Sequence, residues 1–181
     1  MSADKDAGLH AFVARGPKTG TLLYPHKPRD GSYVVSMTRF EKDYIKVANS
    51  ADLLDWLAAE SPVLPLVLGD HSFGSLVGLS VGADDERVVA LLGLGLPVDM
   101  DRYDYSFLAK ADKPVLVVQG ENDEFGPGES VSNLLALLGA HITVVRIPGS
   151  DHYFTDRLDE LRATVRGYYE SGPGSRFLTI V

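Results

Sequence analysis

Three side chains of this sequence could together turn a hydroxyl into a nucleophile: Ser72, Asp123 and His152. A serine attacks a carbonyl only when a base within hydrogen-bonding reach takes its proton, and that base needs a carboxylate to orient it. Each of the three follows an apolar run. Leu66-Val67-Leu68-Gly69-Asp70-His71 leads into Ser72, and the small-residue segment Phe73-Gly74-Ser75-Leu76-Val77-Gly78 follows at once. Val115-Leu116-Val117-Val118-Gln119 leads into Gly120-Glu121-Asn122-Asp123, and Val144-Val145-Arg146-Ile147 into Pro148-Gly149-Ser150-Asp151-His152. A serine between a buried strand and a helix occupies a strained turn that lifts its hydroxyl above a sheet. The helix start then offers the Phe73 amide to a developing oxyanion. Asp151 is a rival orienter, but beside His152 in the chain it should point elsewhere. His71, immediately before Ser72, should point away from the hydroxyl and pack or line a pocket.

The elements that must position these groups are readable from Asp43 onward. Asp43 to Ala59 carries Tyr44, Val47, Ala51, Leu54 and Ala58 at helical spacing, and Ser61-Pro62 ends it. Leu64 to Leu68 reads as a strand, Ser72 to Val81 as a helix and Val88 to Leu92 as a buried strand. Pro114 to Gln119 and Ile142 to Ile147 read as strands, with a helix over Ser130 to Leu138 between them and another over Asp156 to Tyr169 after them. Continuous apolar strands alternating with helices imply a parallel sheet covered on both faces. Asp99 to Ala111 reads as a loop or short helix. The first 42 residues differ: His10 to Arg15, Thr21 to Tyr24 and Tyr33 to Phe40 are β-like and joined by short turn-rich segments, which suggests an antiparallel hairpin or meander. No linker or repeat divides residues 1–181, so one domain is expected.

Composition removes several classes of function. A net charge of −8, from 17 basic and 25 acidic residues in 181, leaves no basic stripe for tracking nucleic-acid phosphates. Cysteine is absent, which excludes disulfides, thiolate zinc sites and a cysteine nucleophile. The N-terminus has no apolar signal core, and Val88 to Val98 is too short to span a bilayer, so no membrane partner and a cytoplasmic location are expected. No His/Asp/Glu grouping has metal-ligand spacing. Gly93-Leu94-Gly95 lacks the rest of a dinucleotide fingerprint, so neither a metal nor another cofactor is expected.

These segments resemble the alpha/beta-hydrolase superfamily, in particular its small dienelactone-hydrolase-like branch. The resemblance rests on the Ser72-Phe73-Gly74 elbow, on Lys113-Pro114-x-Leu116 leading to Gly120-x-x-Asp123, and on Pro148-Gly149-x-Asp151-His152-x-Phe154. It runs from Asp52 to about Tyr169, and includes Leu53-Leu54-Asp55-Trp56-Leu57 and Asp156-Arg157-Leu158-Asp159-Glu160-Leu161. It implies a three-layer α/β fold, Ser72 as nucleophile, His152 as base, Asp123 as acid, and Phe73 as an oxyanion donor joined by an amide near His26 or Lys27. The family's cap would fall at Pro97 to Phe107, which is short here, with Tyr103 and Tyr105 placed to line a shallow pocket or to pack on the sheet.

Two departures stand out. The family usually has glycine two residues before the nucleophile, where Asp70 stands here and should crowd the turn. The fold also places two consecutive βαβ units between the oxyanion loop and the elbow, which takes about 60 residues at roughly 30 each. His26 and Ser72 are 46 positions apart, so about one helix and one strand are missing. The expected function is a serine hydrolase acting on a small ester or related acyl substrate. The alternative is a catalytically silent scaffold or binding protein, and the shortened half could expose an edge that a second copy covers as a homodimer.

Overall fold

The computed structural model describes residues 12–16, 19–26, 33–39, 54, 66–100 and 103–175, with side chains at Leu54 and from Val67 onward. Among these residues, seven strands form one sheet in sequential order: β1 (Phe12–Gly16), β2 (Thr19–His26), β3 (Tyr33–Arg39), β4 (Leu66–His71), β5 (Val88–Leu94), β6 (Val115–Gly120) and β7 (Ile142–Ile147). Strands β1 to β3 pair antiparallel, and β3 to β7 are parallel neighbours. The mostly parallel sheet and the antiparallel N-terminal part both agree with the sequence pattern. In this sheet β3 lies directly beside β4.

Helices cover both faces, as the apolar strand runs require. Along β5 and β6 the side chains alternate between two cores. Leu91, Val115 and Val117 face helices α1 (Phe73–Asp84) and α2 (Gly128–Ala136), while Leu92, Leu116 and Val118 face α3 (Leu158–Glu170) through Tyr168 and Phe154. Of the helix expected over Asp43 to Ala59, only Leu54 is among the described residues; it is helical and buried in the core on the α1 side.

Observed ends differ from expected ones where a polar residue is held by tertiary bonds. The elbow strand continues through Asp70 and His71 because β5 pairs with it as far as His71 opposite Leu94. Helix α1 runs on to Asp84. The buried Lys113 ammonium donates to the carbonyls of Gly82 and Asp85, giving acceptors at the helix end a cation. Within Asp99 to Ala111, residues Ser106–Lys110 form a 3₁₀ turn, started by the Asp104 carboxylate accepting the Ser106 amide. No helix among the described residues is long and apolar enough to cross a membrane.

Candidate active site

Ser72 joins β4 to α1 with φ 59° and ψ −131°. A side-chain-bearing residue in that region costs of order 1–3 kcal/mol and persists only where its surroundings impose it. Here they do. The Ser72 amide donates to Leu94 O at 2.8 Å, the Ser72 carbonyl accepts from the Ser75 amide at 3.0 Å, and Ser75 Oγ lies 2.8 Å from Asp70 O and 2.9 Å from Leu94 O. Strand, elbow and helix are thereby fixed to the end of β5.

The turns after β6 and β7 bring the other two groups to the same edge. Ser72 Oγ is 2.8 Å from His152 Nε2, and His152 Nδ1 is 2.8 Å from Asp123 Oδ2. Asp123 and His152 are buried, at 0% and 2% side-chain exposure, so the pair operates in a medium that strengthens its hydrogen bonds. Asp123 Oδ1 accepts the Phe125 amide at 2.9 Å. The structure brings the three residues singled out by the pattern, Ser72, Asp123 and His152, within hydrogen-bonding reach of one another. Asp151 points elsewhere, as expected: its carboxylate accepts the amides of Tyr153 and Thr155 and shapes the loop that carries His152. That loop holds two further residues in the left-handed region, Phe154 at φ 54° and Asp156 at φ 58°.

His71 takes part in the site more directly than a packing residue would. Its Nε2 lies 2.8 Å from His152 O, and the two imidazoles are 4.7 Å apart. With a carbonyl as partner, Nε2 must be the protonated nitrogen. Burial pushes the His71 imidazole below the usual histidine range, partly offset by its bond to that carbonyl. Both rings press on Gly95, which has φ +56°. A Cβ there would meet His71 Nε2 at 3.1 Å and His152 Cε1 at 3.3 Å, so conformation and space both call for glycine.

Asp70 does not disrupt the elbow. The carboxylate is buried against Gly74 in the first turn of α1, where a Cβ would fall 2.4 Å from Asp70 Cγ, and its Oδ1 accepts the His71 amide. The crowding expected from a side chain at this position is accommodated by the missing Cβ of Gly74. A helix N-terminus is also a favourable place for an anion.

Phe73 opens α1, and its ring lies 5.4 Å from that of Tyr103, so Tyr103 borders the elbow. Two other expectations need correction. Tyr105 is only 2% exposed and belongs to the core beneath α1, so it packs on the sheet rather than lining an open pocket. His26 lies at the wrong end of the sheet. It pairs with Val34, and Val34 with Val67, five residues before Ser72, so the end of β2 is about 16 Å from the elbow along the strand axis. The reason is antiparallel pairing: β2 runs against β3 and β4. Lys27 lies outside the described residues. The strand that runs toward the elbow is β3, which is parallel to β4 and pairs with it over Tyr33–Val35.

Sequence reasoning missed Gln119, a buried amide within hydrogen-bonding distance of the acid. The signal was a polar residue closing an otherwise apolar strand, Val115-Leu116-Val117-Val118-Gln119.

A serine, histidine and aspartate linked at the carboxyl edge of a helix-covered parallel sheet define a hydrolase-type α/β fold. Residues 37–165 match the family model described as alpha/beta hydrolase domain, and the chain belongs to that family. It is 27% identical over 141 residues to an uncharacterised protein of Rickettsia prowazekii; the match takes in 74% of this chain and 59% of that protein, so the chain spans under two thirds of this relative's length. The fold is similar to that of an α/β serine hydrolase without a lid from Xanthomonas campestris, with TM-score 0.73, 20% identity, and 97% of this chain and 98% of that one covered. It is also similar to an alpha-beta serine hydrolase homologue from Coxiella burnetii, with TM-score 0.70, 20% identity, and coverage of 86% and 95%.

Proposed function

We propose that this protein is a serine hydrolase that cleaves small esters or related acyl compounds through Ser72, His152 and Asp123. The observation that carries the reading is the continuous hydrogen-bonded chain from Ser72 Oγ through the His152 ring to Asp123 Oδ2. In the first half-reaction Ser72 Oγ attacks the carbonyl carbon while His152 Nε2 takes its proton. The negative oxygen is stabilised by the Phe73 amide at the start of α1. His152 then gives the proton to the departing alkoxide, leaving an acyl-serine. Water, deprotonated by the same nitrogen, attacks the acyl carbon, and the returning proton regenerates Ser72. Asp123 holds the imidazole tautomer with the proton on Nδ1 throughout.

The half-buried Phe73 and Tyr103 and the exposed Tyr153, whose ring is 5.2 Å from that of His152, provide apolar surface around the nucleophile and suit a small acyl or aryl group. No cofactor enters the cycle. A cytoplasmic location and self-association as a homodimer are part of the same proposal, the latter checked by light scattering.

One observation favours a second reading, a scaffold that keeps the three residues without turnover. The amide near His26, which would have completed the oxyanion hole, belongs to the opposite edge of the sheet. A fluorophosphonate probe separates the two. Labelling of the wild type, together with p-nitrophenyl acetate hydrolysis, and neither in Ser72→Ala, is the expected outcome. An unlabelled wild type would establish the scaffold.

A further inference from the structure

Gln119 is the penultimate residue of β6 and is fully buried. Its Nε2 donates to Asp123 Oδ2 and to Gly126 O, both at 2.7 Å, and its Oε1 accepts the Leu96 amide at 2.7 Å. The partners fix the orientation of the amide. Exchanging N and O would set an NH₂ against the Leu96 N–H and an oxygen against two acceptor oxygens. Asp123 Oδ2, the atom held by Gln119, is also the atom that receives the His152 Nδ1 proton bond.

The same amide ties two segments of the site together: the turn after β5 at Leu96 and the acid loop, at both Asp123 and Gly126. Gly126 itself is pressed on Leu96 O, so the loop has little room to shift. An all-apolar side chain at this position would fill the space equally well but would leave the Leu96 amide and the Gly126 carbonyl buried without partners.

We propose that Gln119 is the positioning residue of the Asp123–His152 pair: it holds Asp123 Oδ2 on the His152 Nδ1 axis and, by donating to that oxygen, sets how strongly the carboxylate draws the imidazole proton. A hydrogen bond to the charged form of a carboxylate stabilises that form and spreads its charge over more donors. Removing the donor concentrates the charge of Asp123 on His152 and loosens its orientation. Among the described residues, the other titratable groups around the pair are His71 at the end of β4, Glu121 on the turn after β6, and Asp151 and Tyr153 on the histidine's own loop.

The proposal rests on the hydrolase reading, and its test uses two measurements so that the two can fail separately. Gln119→Met should lower kcat for p-nitrophenyl acetate by roughly 10- to 100-fold, the effect of one hydrogen bond to a charged group, with KM within about twofold, and move the acid limb of the pH–rate profile upward. Gln119→Glu is nearly isosteric. When protonated, its carboxyl can still donate to Asp123 Oδ2 and accept from Leu96; when ionised, it sets two carboxylates against each other. Its rate should therefore stay near wild type at acidic pH and fall along a new limb as pH rises.

A Gln119 that serves only to fill the core would lower thermal stability in both variants and leave the shape of the profile unchanged, which would overturn the proposal. The second measurement needs no turnover: the His152 Nδ1 proton resonance should shift in folded Gln119→Met relative to wild type. An unchanged resonance would overturn the proposal even in an active enzyme. A shifted resonance in a protein that hydrolyses nothing would sustain the coupling and overturn the hydrolase reading alone.

Discussion

The two ends of the sheet handle the same problem differently. From β4 to β7 every strand is parallel to its neighbour, so every strand ends at one edge, and each turn beyond it delivers something to the same place. Ser72 comes after β4, Leu96 after β5, Asp123 after β6 and His152 after β7. In the antiparallel part, successive strands end at opposite edges. The end of β2 at His26 faces away from the elbow, whereas β3, parallel to β4, runs toward it. Strand direction, more than distance along the chain, decides which segment can contribute to the site.

The sharpest way to test that contrast is to change one residue on each side. Asp123→Asn keeps the shape of the acid but reverses the tautomer that it imposes on His152, and kcat/KM for p-nitrophenyl acetate should drop by about 10³-fold or more with little change in KM. His26→Ala, at the far edge, should leave kcat/KM within about twofold. A large loss in His26→Ala would mean that the end of β2 reaches the elbow after all, and would undo the comparison.

That pair also shows what the sequence could and could not reveal. The strand–turn–residue pattern repeats for Ser72, Asp123 and His152, and each time an apolar run followed by Gly, Asp or Ser announces the edge of a parallel sheet. Local pattern was sufficient because each residue sits one turn beyond its own strand. His26 also follows a β-like run, Leu22-Leu23-Tyr24, and looks locally just as promising. Its error is one of direction, which only the pairing of β2 with β3 determines. Tyr105 stays open between pocket and core in the sequence for a related reason: its place in the core under α1 depends on how the 3₁₀ turn Ser106–Lys110 folds back, and an aromatic residue carries no mark of which way it will face. Gln119 did carry a mark, a lone amide in an apolar strand, but its partner at Asp123 becomes visible only once the turn after β6 closes.

The next largest effect belongs to the elbow. Gly74→Ala would place a methyl group 2.4 Å from Asp70 Cγ, inside any tolerable contact, and should destabilise the fold by about 2–3 kcal/mol through overpacking. The clash is with a side chain rather than backbone, so Asp70→Gly in the same chain should recover most of the loss. Urea unfolding of the single and double variants reads this directly as a coupling energy. Additive losses would mean that Asp70 and Gly74 do not share one space, and the accommodation of Asp70 would need another explanation.

A smaller effect is expected at the far end of the same helix. Lys113 donates to Gly82 O and Asp85 O from a buried position, and burial pushes its ammonium below the ordinary lysine value while the nearby Asp112, Asp85, Asp84 and Glu86 pull it back. Lys113→Met fills similar space without a donor and should cost about 1–3 kcal/mol in urea unfolding. The loss should leave the ester-hydrolysis profile unshifted, because α1 is anchored to the site at its other end by Ser72 and Ser75.

The smallest effect tests the site's own pH dependence. His71 has its imidazole held below the ordinary value of 6.5, first by burial and then by repulsion from His152, against the pull of the His152 carbonyl and of Asp123. A base with a depressed folded-state value binds its proton more readily when unfolded, so its contribution to stability is complete above about pH 6.5 and is lost as pH falls through the depressed value. His71→Gln can keep an N–H donor for His152 O but has no group that titrates in this range. Urea midpoints measured from pH 7.5 down to pH 5 should therefore fall less steeply in His71→Gln than in the wild type, while the two proteins converge in slope above pH 7. Equal slopes below pH 6.5 would show that protonating His71 costs the fold nothing, and that the paired imidazoles beside Gly95 tolerate a charge that their packing argues against.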